Sequence, residues 1–203
     1  MGEVSKPSGA RAAPIVSRDV TDALSAPMAG EQAIRLELIS EGHREPLRSA
    51  CALDLDIWDI YPVSMIDEHF DPTFDTMLPV GNRIALIAFQ NDIVVGTTSY
   101  LAVDPTHHLL EIGGTYFAPS VRGSGFNTIV KHLMINRAIA CGFTRIELRA
   151  DERNTRSCAA IAKLGAVKEG VLRRNRITWT GYVRDTVVYS ILASEWGWRG
   201  KSC

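Results

Sequence analysis

Residues 115–133 read TYFAPSVRGSGFNTIVKHL, and three patterns follow one another inside them. Thr115, Tyr116 and Phe117 close a run of strand-forming residues, and Pro119 ends it. Arg122-Gly123-Ser124-Gly125 makes a short loop, and a helical pattern begins immediately after it. Glycine lets a backbone approach a ligand closely, and the first-turn N–H groups of a helix point outward without a helical partner. The helix dipole favours negative charge at the same place. The segment is therefore a candidate cradle for a diphosphate, while a bare Gly-x-Gly turn can equally exist with no ligand. Two better-known phosphate loops are excluded. No Gly-Lys-Ser/Thr run follows these glycines, as a Walker A loop requires, and Thr128 stands where a Rossmann fingerprint needs a third glycine.

Upstream, Leu109–Phe117 (LLEIGGTYF) reads as a strand whose Gly113-Gly114 pair marks a bulge or a close backbone approach. Before it, Arg83–Phe89 and Ile93–Val103 form two strands joined at Gln90-Asn91-Asp92, a turn suited to positive φ. Gln32–Ser40 alternates as a half-buried strand, and Gly42–Leu55 and Asp71–Leu78 read as helices, the first with Leu47, Ala50 and Cys51 on one stripe. Downstream, a helix runs from Gly125 to Cys141 and stops at Gly142. Thr144–Ala150 is a strand, and Asn154 caps a helix that ends at Gly165. Val167–Ile177 and Val183–Leu192 are strands around Thr180-Gly181. The order is mixed α/β, with strand–helix alternation in the second half.

A chain of 203 residues with 46% apolar and 22% charged residues has globular composition and room for one sizeable core. Residues 1–30, rich in Ala, Pro, Ser and Gly, are expected to be a flexible tail, with one ordered unit over 31–198. Twenty-two basic against 23 acidic residues give a net charge of −1, which disfavours a nucleic-acid partner. No apolar run approaches the ~18 residues of a membrane span. Cys51, Cys141, Cys158 and Cys203 form no CxxC pair, and the opening lacks an apolar signal core, so a reducing cytoplasm is the simplest location. His107-His108 and the other histidines make no ligand set, and no metal is expected. Charge is unevenly spread: Ser49–Asn82 carries Asp54, Asp56, Asp59, Asp67, Glu68, Asp71 and Asp75 with no Lys or Arg, whereas Arg122–Arg184 is strongly basic.

The loop also resembles motif A of the GNAT acyltransferase superfamily, Arg/Gln-x-x-Gly-x-Gly/Ala, as Arg122-Gly-Ser-Gly125-Phe-Asn127. Asn127 departs from that pattern in a way that resembles the branch of ribosomal-protein N-terminal acetyltransferases. The likeness continues through ELRADERNTRSCAAIAKLGAVKEGVLR (147–173) and GYVRDTVVYSILASEW (181–196), covering roughly residues 32–196. It implies an α/β fold with a mixed six- or seven-stranded sheet, splayed in the middle, and about four helices. It implies acetyl-CoA in the splay, with Gly123, Ser124, Gly125, Phe126 and Asn127 supplying cradle amides. Phe117 would then face the pantetheine arm, and Arg122 and the basic surplus would hold phosphates. The partner implied is an amine acceptor, a protein N-terminus or a small cationic amine, and the family allows a homodimer.

Attack of an amine on a thioester needs a base and a proton for the departing thiolate. Glu111 is the leading base, with Asp59 and Glu68 as rivals and Glu169 as a weaker one. The tyrosine many relatives place seven residues after the capping asparagine is Ile161 here. Ser157 matches a serine given the acid's role in the N-terminal branch, and is also an ordinary helix starter. Asn154 either caps its helix or also bonds pantetheine. The acid-rich Leu53–Leu78 segment is expected to wall the acceptor mouth. Other readings are a non-catalytic acyl-CoA-binding module, a longer acyl chain, and an RNA-associated protein using its basic half.

Overall fold

The structure, a computed structural model, describes residues 18–79 and 83–197. Cys203 and the first part of the expected tail lie outside them. Eight strands form one mixed sheet: β1 (Met28–Ala29), β2 (Ile34–Leu38), β3 (Ile84–Gln90), β4 (Ile93–Asp104), β5 (Leu109–Phe117), β6 (Arg145–Asp151), β7 (Val167–Ile177) and β8 (Val183–Leu192). Their order across the sheet is β1-β2-β3-β4-β5-β6-β8-β7. The helices are α1 (Arg18–Ser25), α2 (Arg44–Cys51), α3 (Phe70–Asp75), α4 (Phe126–Ala140) and α5 (Thr155–Lys163).

The first half of β-structure is a meander built from its turns. Asn91 and Asp92 take φ of 48° and 62°, which turns β3 tightly into β4. Alternate residues of the sheet feed two cores. One joins β strands to α1, α4 and α5 through residues such as Leu24, Leu110, Val130, Met134, Ile146 and Ile161. The other packs α2, α3 and the turn Asp56–Ile60 on the opposite face, with Trp58 stacked on Tyr116 at 4.7 Å.

The strand and helix counts exceed the expectation by β1 and α1, and the tail expectation is corrected for residues 18–29. Val20 and Leu24, one turn apart, are buried with Met28 in the first core. Arg137 on α4 donates to the carbonyls of Ala23, Ala26 and Pro27, capping the end of α1 with a cation. An isolated helix this short is marginal, so packing forms it rather than propensity. The helix expected over Gly42–Leu55 is confined to α2, preceded by a 3₁₀ turn at Glu41–His43, and its buried residues are Leu47, Ala50 and Cys51.

Candidate active site in the splay

β5 and β6 run parallel only over Leu109↔Arg145, Leu110↔Ile146 and Glu111↔Glu147. Beyond Glu111 they part, and Ile112–Phe117, paired with β4 on one side, has no strand paired on the other among the described residues. The local cause is a bulge. Between Thr97↔Tyr116 and Ser99↔Gly113, β5 carries one residue more than β4, and Gly114 takes φ +56° there. A bulge bends and twists its strand. Two carbonyls of this segment are already bonded: Tyr61 Oη donates to Thr115 O at 2.7 Å, and Arg122 Nε donates to Phe117 O at 2.8 Å. Burial pushes the Tyr61 hydroxyl up to about 12, so it remains a donor.

Glu111 stands where the strands separate, its side chain 12% exposed and 3.4 Å from Arg149 Nε. Burial raises its carboxyl above the ordinary range, against the pull of Arg149 and then Arg176. Gly113 makes its space, because a Cβ there would meet Glu111 Oε1 at 2.7 Å. The rivals fare differently. Glu169 accepts bonds from Arg145 at 2.7 and 2.6 Å and from Ser190 at 2.7 Å, which hold it down to about 2. A carboxylate so stabilised is a poor base. Asp59 and Glu68 are exposed.

At the other end of the open edge lies the loop before α4. Gly123 and Gly125 have φ of +76° and +88°, and nothing lies within 4 Å of where their Cβ atoms would be. Gly125 caps α4 without a side-chain bond, and Gly123, Ser124 and Gly125 are exposed. Ser124 Oγ donates to Val121 O at 2.8 Å. These backbone groups are placed to accept an anion. The side chains around them are not all so placed. The Phe126 ring is buried edge-on against Phe117 at 5.0 Å, so both rings belong to the core and only their backbones border the open edge. Asn127 is half-buried in the first turn of α4.

Arg122, expected to hold phosphates, is engaged within the chain. Its guanidinium bonds Asp54 and the Phe117 carbonyl, leaving a buried Nη2 without a partner, so it ties the loop to the acid-rich segment instead of facing outward. Part of the basic surplus is similarly occupied: Arg145 and Arg149 share Glu147, and Arg153 is paired with Asp151. The acidic wall also narrows. Asp71 binds Arg44 and Arg48, and Asp75 binds Arg44, which leaves Asp56, Asp59, Asp67 and Glu68 exposed without a Lys or Arg partner among the described residues.

On α5, Asn154 Oδ1 accepts from Ser157 N at 2.9 Å, the cap the sequence implies. The Ser157 hydroxyl has no hydrogen-bond partner among the described residues, and Ile161 is in the core. The β7–β8 turn reaches across: Trp179 Nε1 donates to Trp58 O at 2.8 Å and Trp179 N to Pro62 O at 3.1 Å. The 58–62 segment thus bridges the β5 bulge, through Tyr61, and the β7–β8 turn. Sequence reasoning passed over Tyr61 and two cations beside the bulge, Lys131 and Arg83. Only Lys131 left a signal, a charge on the helical stripe of Val130, Met134, Ile135 and Ala138.

Residues 53–166 match the family model described as Acetyltransferase (GNAT) family. No curated protein matches the chain in sequence. Among solved structures, one described as a putative acetyltransferase is 32% identical, with a TM-score of 0.76, covering 84% of this chain and 88% of its own. A probable GNAT-family acetyltransferase from Chromobacterium violaceum is 25% identical, with a TM-score of 0.80 and 97% of each chain covered. The Salmonella typhimurium acetyltransferase that modifies the N-terminal serine of ribosomal protein L7/L12 shares the fold at 15% identity and a TM-score of 0.72, over 82% of this chain and 99% of its own. A sheet that opens at a bulge, an α4 cradle at its mouth and matches over more than half the length place the chain in the GNAT acetyltransferase family, as an acetyl-CoA-dependent acyltransferase.

Proposed function

We propose that the protein moves an acetyl group from acetyl-CoA to a primary amine, a protein N-terminus or a small cationic amine. The observation that carries this reading is the end of β5–β6 pairing at Glu111, with the open amino end of α4 at the far end of the same edge. From Phe117 back to Glu111 is six residue steps, about 20 Å at ~3.3 Å each. A ligand held by its diphosphate on the amides of Gly123–Asn127 lies along that edge. The crotch then stops its thioester against the bulge, within reach of Glu111 through a water.

Glu111 takes the ammonium proton, directly or through a water. The neutral nitrogen attacks the thioester carbon, the C–N bond forms, the C–S bond breaks, and the proton the nitrogen sheds on becoming an amide passes through the free Ser157 hydroxyl to the departing thiolate. The exposed acids Asp56, Asp59, Asp67 and Glu68, near the Trp179 bridge, favour a cationic acceptor over an anionic one. The free thiols of Cys51, Cys141 and Cys158 suit a reducing cytoplasm. Among the described residues no helix is long and apolar enough to cross a membrane.

The test begins with melting temperature in acetyl-CoA. Ligand at a hundredfold its Kd adds ~2.7 kcal/mol of stability. Thiol release over an amine panel follows, and Glu111→Gln is expected to lower kcat/KM by roughly 10²–10⁴-fold while leaving the acetyl-CoA melting shift intact. Binding without turnover for any amine would instead favour a non-catalytic acyl-CoA module.

A further inference from the structure

Two cations flank the β5 bulge from opposite faces of the sheet. Lys131, only 5% exposed, reaches from α4 and donates from Nζ to Thr115 Oγ1 at 2.6 Å and to Thr98 Oγ1 at 3.1 Å. On the other face Arg83 Nε donates to Ser99 Oγ at 3.3 Å, and its Nη2 lies 3.3 Å from where a Cβ on Gly114 would be. Among the described residues neither cation forms an ion pair. Both bond only hydroxyls, so among the described residues no ion-paired carboxylate offsets the charge of Arg83, or of Lys131 in its ammonium form, where burial makes that charge costly. An apolar side chain at either position would avoid the cost, and two such residues at one bulge call for an explanation beyond packing.

Thr115 connects them to the open edge. Its hydroxyl is held by Lys131 and its carbonyl by Tyr61 Oη, so the orientation of the bulge peptide groups is fixed at two points. In the acetyl-transfer reading above, on which this inference rests, the thioester comes to lie against this part of β5. Attack on its carbon moves an electron pair onto the carbonyl oxygen, and that negative charge needs fixed positive charge or dipoles close by.

We propose that Arg83 and the ammonium form of Lys131 are positioning residues that act through Gly114 and Thr115, presenting positive charge from both faces of the sheet to the thioester oxygen as the tetrahedral intermediate forms. Low polarity around the two cations strengthens their field at that oxygen. Attraction from Glu111, the carboxylate that acts on Lys131, links the oxygen side of the site to the base side.

The experiment uses the whole protein with acetyl-CoA labelled with ¹³C at the carbonyl. Infrared difference spectra give the carbonyl band of the bound ligand without needing an acceptor, and steady-state assays give kcat and KM separately. In the wild type the band should drop on binding. Lys131→Met should lose at least about half of that drop and lower kcat by roughly tenfold, with the KM for acetyl-CoA nearly unchanged. Thr115→Val, which keeps the side-chain shape, should reproduce both effects, and the double variant should lose little more than either single one. Should Lys131→Met fail to fold, Thr115→Val and Arg83→Met carry the same readouts. Variants that bind acetyl-CoA with a wild-type band and kcat overturn the inference alone, whatever their melting temperature. A wild type that does not bind acetyl-CoA overturns the acetyl-transfer reading and this inference together.

Discussion

A Cβ placed on Gly113 would lie 2.7 Å from Glu111 Oε1 and 3.0 Å from Leu101 Cδ1. Gly113→Ala must therefore displace the carboxylate from the end of the paired strands. The expected result is a fall in kcat/KM for the amine of about ten- to a hundredfold, the scale of a misplaced reacting group. The acetyl-CoA melting shift should be retained, since the cradle is untouched. Lys131 gives a second outcome at this scale. Burial lowers its amine to about 7, while the unfolded chain keeps it near ~10.4. Between these values the unfolded state holds a proton the folded state does not, so this group's contribution to stability rises with pH across that window. Relative to Lys131→Met, the wild type should gain melting temperature from pH 7 to pH 10; a constant difference would refute this. Asn154 was readable from cap spacing, which is local, and Glu111 from its place on the strand of the Gly113-Gly114 pair together with the family resemblance. Lys131 and Arg83 take their hydroxyl partners from other elements, Thr98 and Thr115 for the first and Ser99 for the second, so the sequence showed no more than a charge on the α4 stripe.

Helix α4 joins the two ends of the proposed site, its first turn at the candidate cradle and Lys131 under the bulge. Its start depends on Gly125 at φ +88°, a conformation that costs an L-residue about 1–2 kcal/mol. Gly125→Ala should lower the melting temperature by several degrees and weaken the acetyl-CoA shift, because the new methyl group projects into the open cradle. Unchanged affinity would mean the ligand does not touch this turn. The α4 boundaries were visible in the sequence because glycines mark both of its ends, Gly125 and Gly142. Helix α1 was not. Its eight residues carry a short apolar stripe in an Ala- and Pro-rich surrounding, and α4 supplies the surface and the Arg137 cap that form it.

Across the whole molecule, helices cover the sheet unevenly. On the face where Glu111 lies, β6 and its neighbours carry a chain of ion pairs in place of a helix, from Glu111 through Arg149, Glu147 and Arg145 to Glu169. Hydrogen bonds from Arg145 and then Ser190 hold Glu169 down to about 2. Burial pushes Glu147 and Asp151 up, but their arginine partners outweigh it and both sit below the ordinary range. Carboxyls lowered by folding contribute stability that is complete above their unfolded values near ~4 and is lost as pH falls through the folded ones. The melting temperature should therefore drop steeply between about pH 4.5 and 2; a flat profile there would mean these pairs add nothing.

The patterns that act over a few neighbouring residues were open to reading in the chain: the strand periods, the Asn154 cap, the glycine-bounded α4 and the family likeness carried by the cradle loop. Those features follow from backbone preferences that each residue brings with it. The point where β5 leaves β6, the pairing of Glu169 with Arg145, the diversion of Arg122 to Asp54 and the burial of Lys131 were decided by the tertiary structure. Each depends on partners far apart in the chain, 68 residues for Arg122 and Asp54 and 33 for Lys131 and Thr98. A charge acquires its chemical role only when folding sets which neighbours share its low-dielectric surroundings.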